Sequence, residues 1–109
     1  MQREIKKGSL YRHYKNKWYF VLDKSINSET REEYITYFPL YQTPIMLFVR
    51  PSSMFLDEIE EDKQLYQKER FLESDKIQMD EKERTSLLKT AKSLLNEIGL
   101  DLNLEDKLK

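Results

Sequence analysis

Residues 9–22 read SLYRHYKNKWYFVL, and this stretch decides the fold. Two runs rich in aromatic and β-branched side chains flank the polar pair Lys15 and Asn16, which is a composition typical of paired β-strands. Asn tolerates the positive φ that a tight turn demands. The stretch therefore predicts a β-hairpin with strands over residues 9–14 and 17–22.

The chain after the hairpin continues a β-type pattern. It predicts, in order, a loop, two strands, one helical turn and a short fifth strand over residues 23–31, 33–38, 45–50, 51–55 and 56–60. Pro51 supports the helical turn because Pro is favoured at the first helical position. This order of elements predicts a mainly β fold, a small SH3-like β-barrel of about five strands.

A C-terminal helix is predicted over about residues 81–98. Asp80 and Glu83 have the spacing of an N-terminal cap, and Gly99 follows where left-handed geometry ends a helix, with Leu100 folding back on the last turn. Six apolar side chains fall on one helical stripe: Leu87, Leu88, Ala91, Leu94, Leu95 and Ile98. The predicted domains are a barrel over residues 1–75 and an appended amphipathic helix with its tail over residues 76–109. Residues 61–75 fit neither the strand nor the helix period.

Composition excludes several classes of site. The 109 residues suit one ordinary domain. With no cysteine and with His13 as the one histidine, neither a thiol nucleophile nor an ordinary transition-metal site can form, so no metal and no cofactor are predicted. The two glycines cannot build a glycine-rich phosphate loop. No apolar run approaches the roughly 20 residues of a membrane span, and the N-terminal residues lack the apolar segment of a secretory signal, so a cytoplasmic location without membrane contact is expected.

The two halves of the chain differ in charge. Residues 1–55 hold 9 Lys and Arg against 5 Asp and Glu, whereas residues 56–109 hold 10 against 15, so a net charge of +4 precedes one of −5. Eleven of the thirteen aromatic residues also lie in the first half. The total charge of −1 therefore conceals a locally basic, aromatic part of the chain, which favours an anionic or planar partner.

Several short motifs together resemble the domain-of-unknown-function family 1653 of small bacterial proteins. The chain carries YRHYK at residues 11–15, SET at 28–30, LY at 40–41, VRP at 49–51 and MF at 54–55. The family patterns are YRHYKG, HSET, LY, LWVRP and MF, and their order and spacing match over about residues 8–59. Three positions depart from the family patterns: Asn16 replaces a glycine, Asn27 a histidine and Phe48 a tryptophan.

This resemblance implies that Arg12, His13, Arg50 and the Ser28-Glu29-Thr30 run belong to a shared pattern. From the residues alone, the tyrosines could equally pack in a core while Arg12 extends along the surface, and the Ser-Glu-Thr run could be a plain turn. On a strand, Arg12 would share a face with Tyr14, opposite Tyr11 and His13.

The leading prediction is a non-catalytic binding module for a small anionic or planar ligand, a nucleotide or nucleic acid. Guanidinium groups grip phosphate or carboxylate, and tyrosine rings stack on bases. The predicted binding residues are Tyr11, Arg12, His13, Ser28, Glu29, Thr30, Tyr41 and Arg50. Arg12, Glu29 and Arg50 are expected to meet in one cleft, either as part of that site or as a salt-bridge network that braces the loop.

Two alternatives from other classes stay open. One is a protein interaction module or homo-oligomer that uses the apolar stripe of the C-terminal helix. The other is a hydrolase or transferase that uses His13 with Glu29.

Overall fold

A computed structural model describes residues 3–100, and it is built on one five-stranded antiparallel sheet with strand order β4-β3-β2-β1-β5. The strands are β1 Ser9–His13, β2 Lys17–Ile26, β3 Glu33–Pro39, β4 Phe48–Pro51 and β5 Phe71–Glu73. The helices are α1 Ser52–Phe55 and α2 Glu81–Glu97, with 3₁₀ turns at Glu61–Lys63 and Ser74–Lys76. Neither α1 nor α2 has both the length and the apolar character of a membrane-crossing helix, and residues 3–100 contain no other α-helix. The predicted tail over residues 101–109 lies outside the described residues.

The predicted N-terminal hairpin is confirmed. β1 and β2 pair from Ser9 opposite Val21 to His13 opposite Lys17. Asn16 has φ 66°, and its N–H donates to the carbonyl of His13 at 2.8 Å. A three-residue loop with its left-handed residue at the end is a common hairpin turn, so the Asn at this position does what the family's glycine would do.

The mainly β fold with a C-terminal helix is confirmed, but the sheet is open, and the predicted closure into an SH3-like barrel is not confirmed. β4 and β5 are its two edges, and β5 has only three residues. Both faces of the sheet carry an apolar cluster. On one face, side chains from both edge strands come together, because Arg50 of β4 lies against the ring of Phe71 of β5.

The prediction of a loop over residues 23–31 has the wrong bounds. β2 continues through Ile26, because its last four residues pair with the first four of β3 after a bulge at Leu22. The side chains of residues 23–26 are exposed, so their polar composition is compatible with a strand arm that projects into solvent. Only residues 27–32 form the connection.

The fifth strand also lies elsewhere than residues 56–60. β5 pairs antiparallel with β1 and comes from the part of the chain whose sequence fitted no period. Glu58 makes an isolated bridge with Glu69, while Ile59 is buried. Pairing with β1 is a long-range contact, which local propensity does not encode.

α2 covers one face of the sheet. Its buried side chains are Leu88, Ala91, Leu94 and Leu95, and they pack with Leu10, Phe20, Phe38 and Ile45. Asp80 accepts the N–H of Glu83 at 3.0 Å, and the N–H of Leu100 reaches the carbonyl of Leu95 at 3.0 Å beyond Gly99 at φ 80°. The predicted helix and both of its ends are therefore confirmed. Most of the apolar stripe is used within the chain, and association through it stays a prediction.

The opposite face of the sheet is mainly aromatic. Tyr11, Tyr37 and Phe71 project from three strands, and α1 places Phe55 over them. The rings of Phe55 and Phe71 stack at 4.1 Å with an angle of 4°. This packed layer supports the candidate site.

Candidate functional site

Three half-buried side chains, His13, Tyr19 and Arg50, lie together on the aromatic face, with Tyr37 and Phe71 buried beneath them. We call this group of five residues the Arg50 surface. The sheet register creates it: His13 lies opposite Phe71 across β1 and β5, and the chain places Tyr19 and Tyr37 on the two strands between β1 and β4. Arg50 lies opposite Ile35, another side chain of the same face.

The guanidinium of Arg50 is fixed by aromatic groups. Its Nε donates to the hydroxyl of Tyr37 at 3.2 Å, and its Cζ lies 5.8 Å from the ring centroid of Phe71. The rings of Tyr19 and His13 lie 5.4 and 4.9 Å from that of Phe71 and 5.9 Å from each other. The cation is thus held over a ring and beside two partly accessible rings, which is a favourable place for a guanidinium.

Within residues 3–100, the charge of Arg50 is not neutralised by a carboxylate. Among residues 3–100, no carboxylate forms an ion pair with Arg50. Arg50 is only partly buried, and its side-chain hydrogen bond to Tyr37 uses Nε and not the two terminal nitrogens. A positioned fork with free donors is suited to bind an oxyanion with two hydrogen bonds.

His13 is neutral at physiological pH. Burial, followed by the positive charges of Lys15, Arg50, Arg70 and Lys17, lowers its pKa from 6.5 to about 4. Its Nδ1 accepts the N–H of Lys15 at 3.2 Å, so the ring proton of the neutral form is on Nε2. His13 can therefore donate a hydrogen bond to a ligand.

The lowered pKa of His13 indicates a positive potential at this end of the sheet, because the four charged groups named above as its causes are cations. Arg70 is paired with Asp57, through contacts of 2.7 and 3.3 Å. Lys15 and Lys17 are exposed on the hairpin turn. An anion that approaches the Arg50 surface meets these positive charges first.

We expect the imidazole of His13 to titrate with a midpoint near pH 4, and not near 6.5. Since the unfolded chain takes up its proton near pH 6.5, it binds more protons than the folded chain between pH 6.5 and 4. The contribution of neutral His13 to the free energy of unfolding should thus be fully present above pH 6.5 and should decrease as the pH falls from 6.5 to 4. The midpoint is measured from the one imidazole signal in an NMR pH titration. In His13→Gln, the melting temperature should change less between pH 7 and 5 than it does in wild type. A midpoint near 6.5 would contradict the burial described above.

Tyr41 and Lys17 extend the Arg50 surface towards the hairpin turn. The hydroxyls of Tyr19 and Tyr41 share a hydrogen bond of 2.7 Å, and burial together with this bond raises the pKa of Tyr19. The Nζ of Lys17 lies 4.6 Å from the ring centroid of Tyr41. Tyr41 itself is exposed, so it offers a third accessible ring, and this ring lies beside the cation of Lys17.

Two of the predicted binding residues lie away from the accessible part of this surface. Tyr11 is completely buried, its ring packs edge-on against Phe55, and its hydroxyl accepts the N–H of Lys6 at 2.9 Å. Arg12 is on the other side of β1, as predicted, and its Nε donates to the Oε1 of Gln67 at 2.8 Å. Tyr11 is thus part of the core, and Arg12 forms a hydrogen bond between β1 and the segment before β5.

The run from Ser28 to Thr30 forms the tip of the β2–β3 hairpin. The Oδ1 of Asn27 accepts the N–H groups of Glu29 and Thr30 at 2.9 and 3.1 Å, so the run is a turn held by Asn27. The tip lies beyond Ile26, about 25 Å along β2 from the residue that pairs with Arg12, at about 3.3 Å per residue.

The structure therefore does not bring Arg12, Glu29 and Arg50 together, contrary to the prediction that they meet in one cleft. The side chain of Arg12 is on the opposite face of the sheet, and that of Arg50 extends towards Tyr37, away from the hairpin tip. Among residues 3–100, Glu29 forms no ion pair, so these three residues make neither a common cleft nor a salt-bridge brace. His13, Tyr41 and Arg50 are the predicted residues that the structure brings to one surface.

Sequence reasoning missed Tyr19, Tyr37 and Phe71 as site residues. Tyr19 and Tyr37 lie on predicted strands, and the alternation of β2 and β3 is a signal that could have placed them on the face of His13. Phe71 carries no such signal, because its segment fits no period. Within residues 3–100, no group of three potential metal-ligating side chains is close enough to hold an ion.

The family model described as "Protein of unknown function (DUF1653)" matches residues 9–73. This range begins at the first residue of β1, ends at the last residue of β5 and so contains the whole sheet with the Arg50 surface, while α2 lies outside it. No curated protein and no solved structure matches the chain.

Proposed function

The chain belongs to the DUF1653 family of proteins of unknown function, and from this premise we propose that it is a non-catalytic binding module for a ligand that is both planar and anionic. The Arg50 surface is the proposed site. The observation that carries the proposal is the half-buried guanidinium of Arg50, which is positioned by Tyr37 and Phe71 and has no carboxylate partner among residues 3–100.

The anionic part of the ligand is assigned to Arg50. A guanidinium fork recognises phosphate or carboxylate through two parallel hydrogen bonds, each stronger than a bond between neutral groups. In a free protein the carboxylate of an Asp or Glu commonly occupies such a fork, and here none does within the described chain. Lys15 and Lys17 add a positive potential that favours the approach of an anion.

The planar part of the ligand is assigned to Tyr19 and His13. Their rings are partly accessible and supported from behind by Phe71, so stacking on them costs little side-chain ordering. The Nε2–H of neutral His13 adds one directional donor. A nucleotide unites a planar base with a phosphate and matches both parts.

A binding role is favoured over the hydrolase or transferase because of where the candidate catalytic groups lie. That alternative needs Glu29 within hydrogen-bond distance of His13, but the chain places Glu29 at the far end of β2. A general base also works best with a pKa near the working pH, and the pKa of His13 is about 4.

Arg50→Lys is expected to weaken binding of adenosine monophosphate by about tenfold or more, while the melting temperature changes little. The ammonium keeps the charge but loses the fork, and a hydrogen bond to a charged group contributes about 1.5 to 3 kcal/mol. Calorimetric titration of wild type and variant measures the affinity. Adenosine and ribose 5-phosphate, titrated separately, test the planar and the anionic part.

Arg12→Lys is the matched control because Arg12 is an arginine of β1 whose side chain lies on the other face. It should leave the affinity for adenosine monophosphate unchanged. Equal affinities of wild type and Arg50→Lys would contradict the proposal, as would the absence of binding across adenosine, guanosine, cytidine and uridine monophosphates.

A further inference from the structure

A cavity of about 410 Å³ is lined by residues of the first hairpin, of the segment that follows β3 and of α2. Its apolar walls come from Trp18, Leu40 and Leu87, which also pack against the core under α2. Its polar rim comes from Asn16, Lys17 and Thr90. An apolar cavity with a few polar groups at its mouth is the usual form of a small-molecule site.

This cavity lies on the α2 side of the sheet and meets the Arg50 surface at Tyr41. Tyr41 lines the cavity while its hydroxyl bonds that of Tyr19, and the two ring centroids are 5.7 Å apart. Lys17 also lines the cavity and places its ammonium over the ring of Tyr41. The sequence of accessible rings is thus His13, Tyr19 and Tyr41, followed by the cavity that contains Trp18.

We propose that the cavity is a second base-binding subsite and that the ligand is a single-stranded nucleic acid of at least two nucleotides. This inference rests on the proposed function. One base stacks on Tyr19 and His13 with its phosphate on Arg50, the next base enters the cavity beside Trp18, and the phosphate between them lies at Lys17.

The distribution of charge supports a strand rather than a single nucleotide. The three cation–π pairs of the described residues are Lys15 on Tyr14, Lys17 on Tyr41 and Arg50 on Phe71. The first two lie at the hairpin turn beside the cavity, and the third lies at the Arg50 surface. Alternating cations and aromatic rings bind single strands with little sequence preference, because every base has a face that stacks and every nucleotide has a phosphate.

A duplex does not fit this arrangement. Bases in a duplex are stacked on each other and paired, so their faces cannot enter a cavity or stack on Tyr19 without being extruded. The bases of a single strand can separate at little cost. The proposal therefore predicts a preference for single strands over duplexes of the same length.

Trp18 is the single tryptophan of the chain and lines the cavity, so its fluorescence reports on this subsite alone. Wild-type protein is titrated with adenosine monophosphate, with the 5′-phosphorylated adenosine dinucleotide, and with six-nucleotide DNA and RNA as single strands and duplexes. The mononucleotide should leave Trp18 emission almost unchanged, whereas the dinucleotide should quench it. The dinucleotide should also bind about 5- to 150-fold more tightly, since stacking of one base contributes about 1 to 3 kcal/mol.

Thr90→Glu tests the subsite without altering the Arg50 surface. Thr90 lies at the cavity rim on α2, so the added carboxylate should repel the phosphate at Lys17. The variant should bind the dinucleotide no more tightly than adenosine monophosphate, and the dinucleotide should no longer quench Trp18 emission. Its affinity for adenosine monophosphate should equal that of wild type. Ser86→Glu is the matched control, because it adds the same charge one turn earlier on α2 at a position that does not line the cavity.

Several outcomes would overturn the second subsite alone: a dinucleotide that binds no more tightly than the mononucleotide, unchanged Trp18 emission, equal affinity for duplexes, or the same loss in Ser86→Glu as in Thr90→Glu. Binding of tripolyphosphate as tightly as the dinucleotide would also overturn it, because charge alone would then explain the gain. In each of these cases the proposed function is retained if Arg50→Lys binds the mononucleotide more weakly than wild type does. Failure of every mononucleotide to bind overturns both.

Discussion

Replacing Phe71 with Ala is expected to lower the free energy of unfolding by about 3 to 5 kcal/mol. Phe71 is 1% exposed and stacks on Phe55 at 4.1 Å. Its ring also makes edge contacts with Tyr19 and Tyr37, each at 5.4 Å between centroids. The substitution removes the centre of the aromatic layer and leaves a cavity that the rigid sheet cannot fill. Urea denaturation of wild type and variant measures the loss.

Tyr66→Ala is the control for Phe71→Ala. Tyr66 is an aromatic residue of the segment just before β5, but it is 59% exposed, so its truncation should change stability by no more than about 0.5 kcal/mol. Equal losses in the two variants would show that Phe71 is not in the core. Phe71→Ala should also weaken nucleotide binding, because Arg50 loses the ring that positions it.

Leu95→Ala is expected to cost about 2 to 5 kcal/mol, and the same range applies to Leu94→Ala. Leu95 is 1% exposed and Leu94 is 7% exposed, and both pack between α2 and the sheet. The substitutions leave the backbone bonds at the end of the helix intact, so they test packing and not helix termination. Thermal and urea unfolding measure the effect.

Ile98→Ala is the control for the helix. Ile98 belongs to the predicted apolar stripe but is 40% exposed at the end of α2, so its truncation should have a much smaller effect. If Ile98→Ala destabilised the protein as much as Leu95→Ala, the side of α2 that faces the sheet would be assigned incorrectly.

The sequence predicts those parts of the fold whose signals are local. The first hairpin follows from a turn residue between two strand-like runs, and Asn16 adopts the positive φ that this pattern requires. The end of α2 follows in the same way, because Gly99 at φ 80° permits the bond from Leu100 to Leu95. In each case the residues that determine the local structure are close together in the sequence.

The parts that could not be predicted depend on partners distant in sequence. β5 is a strand because it pairs with β1, which lies about sixty residues earlier, and the exposed end of β2 is a strand because β3 pairs with it. Whether a sheet closes depends on where its edge strands lie, and this is decided by β5. Sequence order alone therefore suggested a barrel where the chain forms an open sheet.

The same reason explains the partial prediction of the site. His13 and Arg50 lie in the YRHYK and VRP motifs, and strand alternation places His13 on the same face as Tyr11. The prediction that Glu29 meets Arg50 assumes a loop over residues 23–31. Yet the extension of β2 carries Glu29 to the opposite end of the sheet. Phe71 joins the site only through pairing with β1.

The central claim is that a planar anion binds at the Arg50 surface, and an NMR titration of wild-type protein with adenosine monophosphate tests it most directly. The one imidazole of the chain, His13, provides a signal from the proposed site. We expect its ring resonances to shift and saturate with the nucleotide, while the backbone amides of Ser28, Glu29 and Thr30 stay in place. Saturating shifts at the hairpin tip with an unmoved His13 would contradict the account.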